Sequence, residues 1–142
     1  MHYAAKFEPD EGGFLVTFPN VPEAITGGAD MAEALSNASD ALEVVLLTYA
    51  KDGRDLPSDT VDPVEGRAIQ VPVSAAVSAK LAFIEAFRKS GLSRVALAQK
   101  IGKAEGEVRR MLDPYHGSKL VALEEAMHAL GKRFVLTVEE AA

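Results

Sequence analysis

The chain has 142 residues, 48% of them hydrophobic and 25% charged, so it can bury one ordinary core or two small ones and is too apolar to be disordered. It has no cysteine, which excludes a disulfide framework and a thiolate metal site and favours a reducing compartment. There is no basic stretch followed by an apolar block at the N-terminus, and no apolar run approaches the ~20 residues that span a bilayer. We therefore expect a cytoplasmic protein with no membrane segment.

The net charge of −6 conceals two halves of opposite charge. Residues 1–72 contain 13 Asp and Glu against 4 Lys and Arg, a net charge of −9, whereas residues 73–142 contain 8 against 11, a net charge of +3. Without Glu139 and Glu140 the second half reaches +5. Because attraction to phosphates dominates nucleic-acid affinity, only the second half is predicted to face a nucleic acid. The acidic first half needs a different partner.

The first half has the pattern of a small sheet with one long helix. Apolar residues alternate with polar ones on both sides of a turn at residues 9–13, which predicts a β-hairpin. Ile25 and Thr26 allow a short third strand, and residues 68–73 return as a fourth. Between them, Asp30 is a capping-box-like start for an amphipathic helix that Gly53 ends, and residues 54–66 are predicted to be an exposed loop.

From Ser74 onwards the period of the apolar residues becomes helical. Glycines and capping residues divide this half into four helices followed by a terminal strand. The predicted boundaries are Gly91 after the first helix, Ser93 and Gly102 around the second, Asp113-Pro114 after the third, Ser118 and Gly131 around the fourth, and a strand from Phe134 to Val138. The fold class is therefore α+β, with one domain at residues 1–73 and an all-α domain with a C-terminal strand at residues 74–142.

Residues 93–112 have the spacing of a helix-turn-helix. Leu97 and the small Ala98 allow close packing, Gly102 follows four residues later, and Val108 and Leu112 anchor the next helix. An ordinary α-hairpin in a helical bundle would use the same residue types, so this alternative remains open. The positive charge of this half favours DNA binding.

The outward face of the third helix of this half supplies the candidate DNA-binding residues. Arg109 and Arg110 are predicted to read guanine, since arginine can bind O6 and N7 bidentately, and Glu105 and Glu107 could accept from cytosine N4. Glu105 and Arg109 are also four residues apart in the order that favours a simple surface ion pair. Phosphate contacts are predicted for Arg94, Lys100, Lys103 and Lys119.

No catalytic residue, metal site or cofactor is predicted. The three histidines are scattered without the spacing of a metal or triad motif, and Asp10 and Glu11 lie in a turn where acidic residues are favoured for backbone reasons. Val44 and Leu47 lie off the main apolar stripe of the long helix. They indicate either a wide buried face or an exposed patch for a partner.

The ordered motifs of the chain resemble the HicB antitoxin family. In the first half these are Tyr3, Phe7, residues 10–14, Val16, Phe18-Pro19, residues 21–24, Thr26-Gly27, residues 33–35 and Leu56-Pro57. In the second half, Ser93-Arg94, Leu97-Ala98, Gly102, residues 112–114, His116 and residues 129–133 are similar to the helix-turn-helix (Xre/Cro-like) branch of that family. Asn20 departs from the aspartate that usually follows Phe-Pro, and Lys103 from an often apolar position.

The resemblance implies a partial RNase H-like fold for residues 1–72, neutralisation of a small HicA-type mRNA-cleaving toxin, and repression of the pair's own promoter. We expect the acidic module to cover a basic surface of the toxin and the second module to form a dimer or tetramer on operator DNA. The candidate toxin-binding residues are Phe18, Pro19, Asn20, Glu23, Val44 and Leu47. The candidate dimerisation residues are Phe134, Val135, Leu136 and Val138.

Two other functions are compatible with the sequence. The chain could be a free-standing transcription regulator whose first module senses a ligand or another protein. It could also be a metal-dependent nuclease, because RNase H-like folds can hold metal with clustered carboxylates, although the predicted strands carry no inward acid.

Overall fold

The computed structural model describes residues 1–59 and 68–141. In these ranges the chain forms an antiparallel four-stranded sheet and five helices. The strands are β1 (His2–Asp10), β2 (Gly13–Thr17), β3 (Ile25–Gly28) and β4 (Ala68–Pro72), in the spatial order β3-β2-β1-β4. The helices are α1 (Met31–Lys51), α2 (Ala75–Ser90), α3 (Arg94–Ile101), α4 (Glu105–Met111) and α5 (Leu120–Ala129). None of the helices in these ranges is long and apolar enough to cross a membrane.

The predicted hairpin and the two further strands are confirmed. β1 pairs with β2 from Lys6 opposite Thr17 to Asp10 opposite Gly13, and its other edge pairs with β4. β3 continues to Gly28, two residues beyond the predicted pair. The loop predicted at residues 54–66 lies partly outside the described residues.

Helix α1 lies against the sheet and closes the first core. Asp30 caps it as predicted, since its Oδ1 accepts from the Glu33 backbone N–H at 2.8 Å. The first turn sits directly on Gly28, where a Cβ atom would overlap the backbone of Ala34. Glycine at this position therefore sets how closely the helix approaches β3. Residues of the sheet and of α1 that share this core include Tyr3, Val16, Val71, Ala38, Leu42 and Leu46.

Helix α2 contributes to both hydrophobic cores. Leu81 packs in the first core, whereas Phe83 and Ile84 pack in the second core with residues of α3, α4 and α5. Ala50, near the end of α1, packs against both cores. The helix that follows the predicted domain boundary at residue 73 thus contributes side chains to the cores of both modules.

The glycine and serine signals predict most helix ends correctly. Ser93 caps α3 by accepting from the Ala96 N–H at 3.0 Å, and Gly91 and Gly102 end α2 and α3 in the left-handed conformation. The cap predicted at Ser118 is wrong, because α5 begins at Leu120 and the Ser118 hydroxyl accepts from the Lys80 ammonium at 2.7 Å instead. The Ser118 hydroxyl is therefore hydrogen-bonded to α2 and does not cap α5.

The terminal strand predicted at residues 134–138 is absent from the single chain. A strand needs a neighbour to complete its ladder, and no described strand pairs with this segment. Phe134 packs against the second core, while Val135, Leu136 and Val138 are exposed. The tail returns towards the sheet, where Glu139 lies 2.9 Å from His2 Nε2.

Candidate functional site

Helices α3 and α4 pack against each other across a three-residue connection. Leu97, Ala98, Val108 and Met111 are buried and face the second core, as the sequence pattern predicts. Gly102 has φ of 66°, a conformation that favours glycine and lets the chain turn sharply from one helix into the next. Consequently the opposite faces of α3 and α4 point away from the core.

Three of the six cations predicted to contact DNA are ion-paired within the chain. Glu105 receives two arginines, with Arg94 Nε at 3.4 Å and Arg109 Nη2 at 2.8 Å. Lys103 Nζ lies 3.9 Å from Glu107 and 4.0 Å from Glu125. The surface ion pair considered for Glu105 and Arg109 is therefore present. Since exposed pairs contribute at most ~1 kcal/mol, a phosphate can displace such a carboxylate.

Arg110 and Lys119 differ from these cations. Both are exposed, and neither forms an ion pair with another residue in the described ranges. Arg110 lies in the last turn of α4, and Lys119 occupies the position before the first turn of α5. Lys100 is likewise exposed and without an ion pair in the described ranges, so a polyanion would meet these three predicted contacts without first breaking an internal pair.

A buried lysine forms a hydrogen bond with the C-terminal end of α4. Lys80 of α2 is 5% exposed, and its Nζ donates to the Met111 carbonyl at 2.8 Å and to the Ser118 hydroxyl at 2.7 Å. Burial lowers the pKa of the lysine, and the charge of Asp113 opposes that shift. Lys80 thereby ties the end of α4 and the following loop to the helix shared by both cores.

The candidate partner-binding residues of the first module divide into buried and accessible groups. Phe18 is buried, since it is 1% exposed and its side chain packs in the first core immediately after β2 ends. Leu47 is half-buried against the same core, and Asn20 donates to the Ser58 carbonyl at 2.9 Å. Pro19, Glu23 and Val44 are exposed.

Glu23 and Val44 meet at an open groove of about 370 Å³ between the N-terminal end of β3 and one side of α1. The groove floor is mostly aliphatic, and its wall on the helix side comes from residues spaced three and four apart. It is lined by Glu23, Ala24, Ile25, Thr26, Asn37, Asp40, Ala41, Val44 and Val45. Two carboxylates and no basic side chain are among these residues.

Glu23 is held at one end of the groove. A hydrogen bond with Glu23 is the main cause that raises the pKa of the Tyr49 hydroxyl. The guanidinium of Arg54 lies 3.9 Å from the centre of the Tyr49 ring. Asp40 is exposed on α1 and forms no ion pair within the described ranges.

Comparison with known proteins identifies the family. Residues 2–82 match a family model described as a HicB-like antitoxin of bacterial toxin-antitoxin systems. Antitoxin HicB 2 of Photorhabdus laumondii is 36% identical over 136 residues, which cover 96% of this chain and 95% of that protein. Antitoxin HicB of Escherichia coli K12 is 34% identical over 139 residues, covering 97% and 99%. The chain belongs to the HicB-like antitoxin family. Its role is that of an antitoxin, and it is not an enzyme.

This result rejects the nuclease hypothesis for the antitoxin. In the part of the chain that the structure describes, no group of three or more His, Cys, Asp or Glu side chains could hold a metal ion.

Three features of the antitoxin were not predicted from the sequence: the burial of Lys80, the position of Asp40 on the groove and the exposure of Ile25. Lys80 falls between Val77 and Leu81 on the inward stripe of α2, so its helical position was the available signal for burial. Asp40 belongs to a second stripe of α1, which is visible only when its spacing to Val44 is considered together with the core stripe. Ile25 is exposed because it lies opposite Thr17, whereas the next residue, Thr26, lies opposite the buried Val16 on the other face of the sheet.

Proposed function

We propose that this antitoxin binds a HicA-type mRNA-cleaving toxin with its first module and occludes the toxin's RNA-binding surface. The family match over residues 2–82, which include the whole acidic module, is the observation that carries this proposal. A protein that binds RNA presents cations to phosphate, and the net charge of −9 on residues 1–72 is complementary to such a surface. Inhibition is then steric and electrostatic, without chemistry, in the cytoplasm.

Co-expression with the HicA-type protein encoded in the adjacent reading frame tests this proposal. A tagged antitoxin should retain that protein on an affinity column, and the association rate should fall steeply with added salt because opposite charges steer the encounter. Failure to retain it would contradict the proposal and favour a free-standing regulator.

We further propose that α3 and α4 form a helix-turn-helix that binds operator DNA and represses the antitoxin's own operon. Two observations support this proposal. The connection between the two packed helices is short and begins at Gly102, and Arg110 on the second helix is exposed and forms no ion pair within the described ranges. Arg109 and the two glutamates remain candidate base contacts, but they would have to exchange their internal ion pairs for DNA.

Two substitutions separate base contacts from phosphate contacts. Arg110→Ala should weaken operator binding by about 1–3 kcal/mol and relax the preference at one base pair. Lys119→Ala should weaken operator and random duplexes alike and reduce the salt dependence by about one phosphate contact. Equal losses on both duplexes for Arg110→Ala would reject its role as a base reader.

We also propose that the C-terminal tail joins two copies of the antitoxin. Val135, Leu136 and Val138 are 83%, 78% and 89% exposed, although apolar residues of this kind are usually covered. Pairing of two such segments would complete the ladder that the single chain lacks and would place two recognition helices about 34 Å apart, one DNA turn. Phe134 would anchor the tail to the second core. Sedimentation of Leu136→Asp should show a shift towards monomer.

A further inference from the structure

The groove between β3 and α1 combines an apolar floor with acidic ends. Ile25 and Val44 are 63% and 64% exposed, so each leaves a large aliphatic surface in contact with water. Asp40 and Glu23 lie on the lining of the same groove. The groove is thus lined by both aliphatic and acidic side chains.

The helix wall of the groove is separate from the face of α1 that closes the core. Positions 37, 40, 41, 44 and 45 form one side of the helix, whereas the buried positions 34, 38, 42 and 46 lie roughly 100° around its axis. Packing of the module therefore does not explain why the exposed Val44 is apolar, whereas Val45 also packs against the first core.

A hydrogen bond joins the two walls of the groove. Asn37 Nδ2 on the helix wall donates to the Gly27 carbonyl of the edge strand at 2.8 Å. A groove with fixed walls loses little side-chain freedom when a ligand enters, and this favours binding.

We propose that this groove receives a lysine or arginine side chain from the basic surface of the HicA-type toxin, an inference that rests on the proposed toxin binding. The methylene stem of such a side chain packs on Ile25 and Val44, and its cationic head lies beside Asp40 or Glu23. No other common side chain combines an apolar stem with a positive charge. A second antitoxin fits less well, because each copy carries a net charge of −6.

The test uses charge reversal at matched positions in the full chain. Asp40→Lys and Asp10→Lys change the net charge equally, but Asp10 is the last residue of β1, towards the Gly28 end of β3, whereas the groove is at the Ile25 end. Binding of the purified HicA-type protein is measured by calorimetry at 0.15 M salt. We expect Asp40→Lys to weaken binding at least tenfold and Asp10→Lys to weaken it no more than about threefold, since screening limits the shared long-range effect.

A second pair of variants tests the apolar floor. Val44→Ser and Val121→Ser remove side chains that are 64% and 66% exposed, but Val121 lies on α5 of the second module. Val44→Ser should weaken toxin binding about tenfold, as expected for a residue at the centre of an interface, and Val121→Ser should leave it unchanged. Both proteins should unfold at the wild-type temperature.

The outcomes separate this inference from the function on which it rests. If the wild type binds the toxin but Asp40→Lys and Asp10→Lys weaken binding equally, the groove is not the docking site and toxin binding itself stands. If Asp40→Lys alters self-association and leaves toxin affinity unchanged, the groove joins two copies and the inference is wrong. If the wild type does not bind the HicA-type protein, the proposed function fails as well.

Discussion

Replacement of Lys80 by methionine tests how the end of the proposed recognition helix is held. Methionine keeps an unbranched chain of similar length and removes the ammonium group that donates to the Met111 carbonyl and the Ser118 hydroxyl. Each charge-assisted hydrogen bond contributes ~1.5–3 kcal/mol, and an ammonium loses several kcal/mol of hydration when it is buried. The two effects oppose each other, so we expect a net destabilisation of ~1–3 kcal/mol.

Urea unfolding of Lys80→Met measures this loss directly. In a chain of this size, each 1 kcal/mol of lost stability lowers the melting temperature by about 2–4 °C, so the melting temperature of Lys80→Met should fall by roughly 2–12 °C. Lys100→Met is the matched control, because Lys100 is exposed and forms no ion pair within the described ranges, and it should change the free energy of unfolding by less than ~0.5 kcal/mol. An unchanged free energy of unfolding in Lys80→Met would refute the reasoning.

The pH dependence gives a second, independent readout for Lys80. Burial lowers the pKa of Lys80 in the folded chain below the usual 10.5. At pH values between this lowered pKa and 10.5, the unfolded chain therefore holds a proton that the folded chain has released. The wild type therefore gains stability relative to Lys80→Met as the pH rises towards 10.5. A difference that stays flat over this range would contradict the burial of the ammonium.

Three further substitutions have defined outcomes. Gly106→Ala should stabilise the chain by ~0.5–1 kcal/mol in thermal unfolding, because Gly106 lies in α4 and, beyond the backbone of that helix, the one atom of the described residues within 4 Å of an added Cβ is Arg110 Nη1 at 3.9 Å. Gly28→Ala should destabilise by ~1–3 kcal/mol, since the new Cβ would overlap the first turn of α1, and wild-type stability in urea would rule out the close approach. Tyr3→Phe should lose ~1 kcal/mol at neutral pH, because it removes the hydrogen bond from the Tyr3 hydroxyl to the Pro57 carbonyl. Burial raises the pKa of Tyr3 to about 12, so this stabilisation is complete below pH 10 and is lost between pH 10 and 12; an equal alkaline loss in Tyr3→Phe would assign that loss to another group.

Local patterns in the sequence predict the secondary structure well where the signal is short-range. Asp30 and Ser93 cap their helices through their own side chains, and Gly91 and Gly102 end helices in the conformation that glycine favours. Each of these signals depends on residues within one helical turn.

The failures come from contacts that are distant in sequence. Ser118 has the residue type of a cap, but Lys80, 38 positions earlier, takes its hydroxyl. Phe18 lies in a motif that the family resemblance connects with toxin binding, yet its side chain turns into the core after β2. The tail at residues 134–138 has the apolar residues of a strand, but no described strand pairs with it.

The candidate sites show the same division. Periodicity places Arg109 and Arg110 on an exposed face, but only the three-dimensional structure distinguishes the ion-paired Arg109 from Arg110. The groove could not be derived from local sequence, because one wall belongs to α1 and the other to β3, whose edge position follows from the order of the whole sheet.

The most direct test of the antitoxin's proposed action is an RNA-cleavage assay. The HicA-type toxin is incubated with mRNA while the purified antitoxin is added in increasing amounts, with the Asp40→Lys variant in parallel. Occlusion predicts that cleavage falls linearly and ends near one toxin-binding module per toxin, and that Asp40→Lys needs a clear excess for the same effect. Undiminished cleavage at a tenfold excess of the wild-type antitoxin would contradict the account.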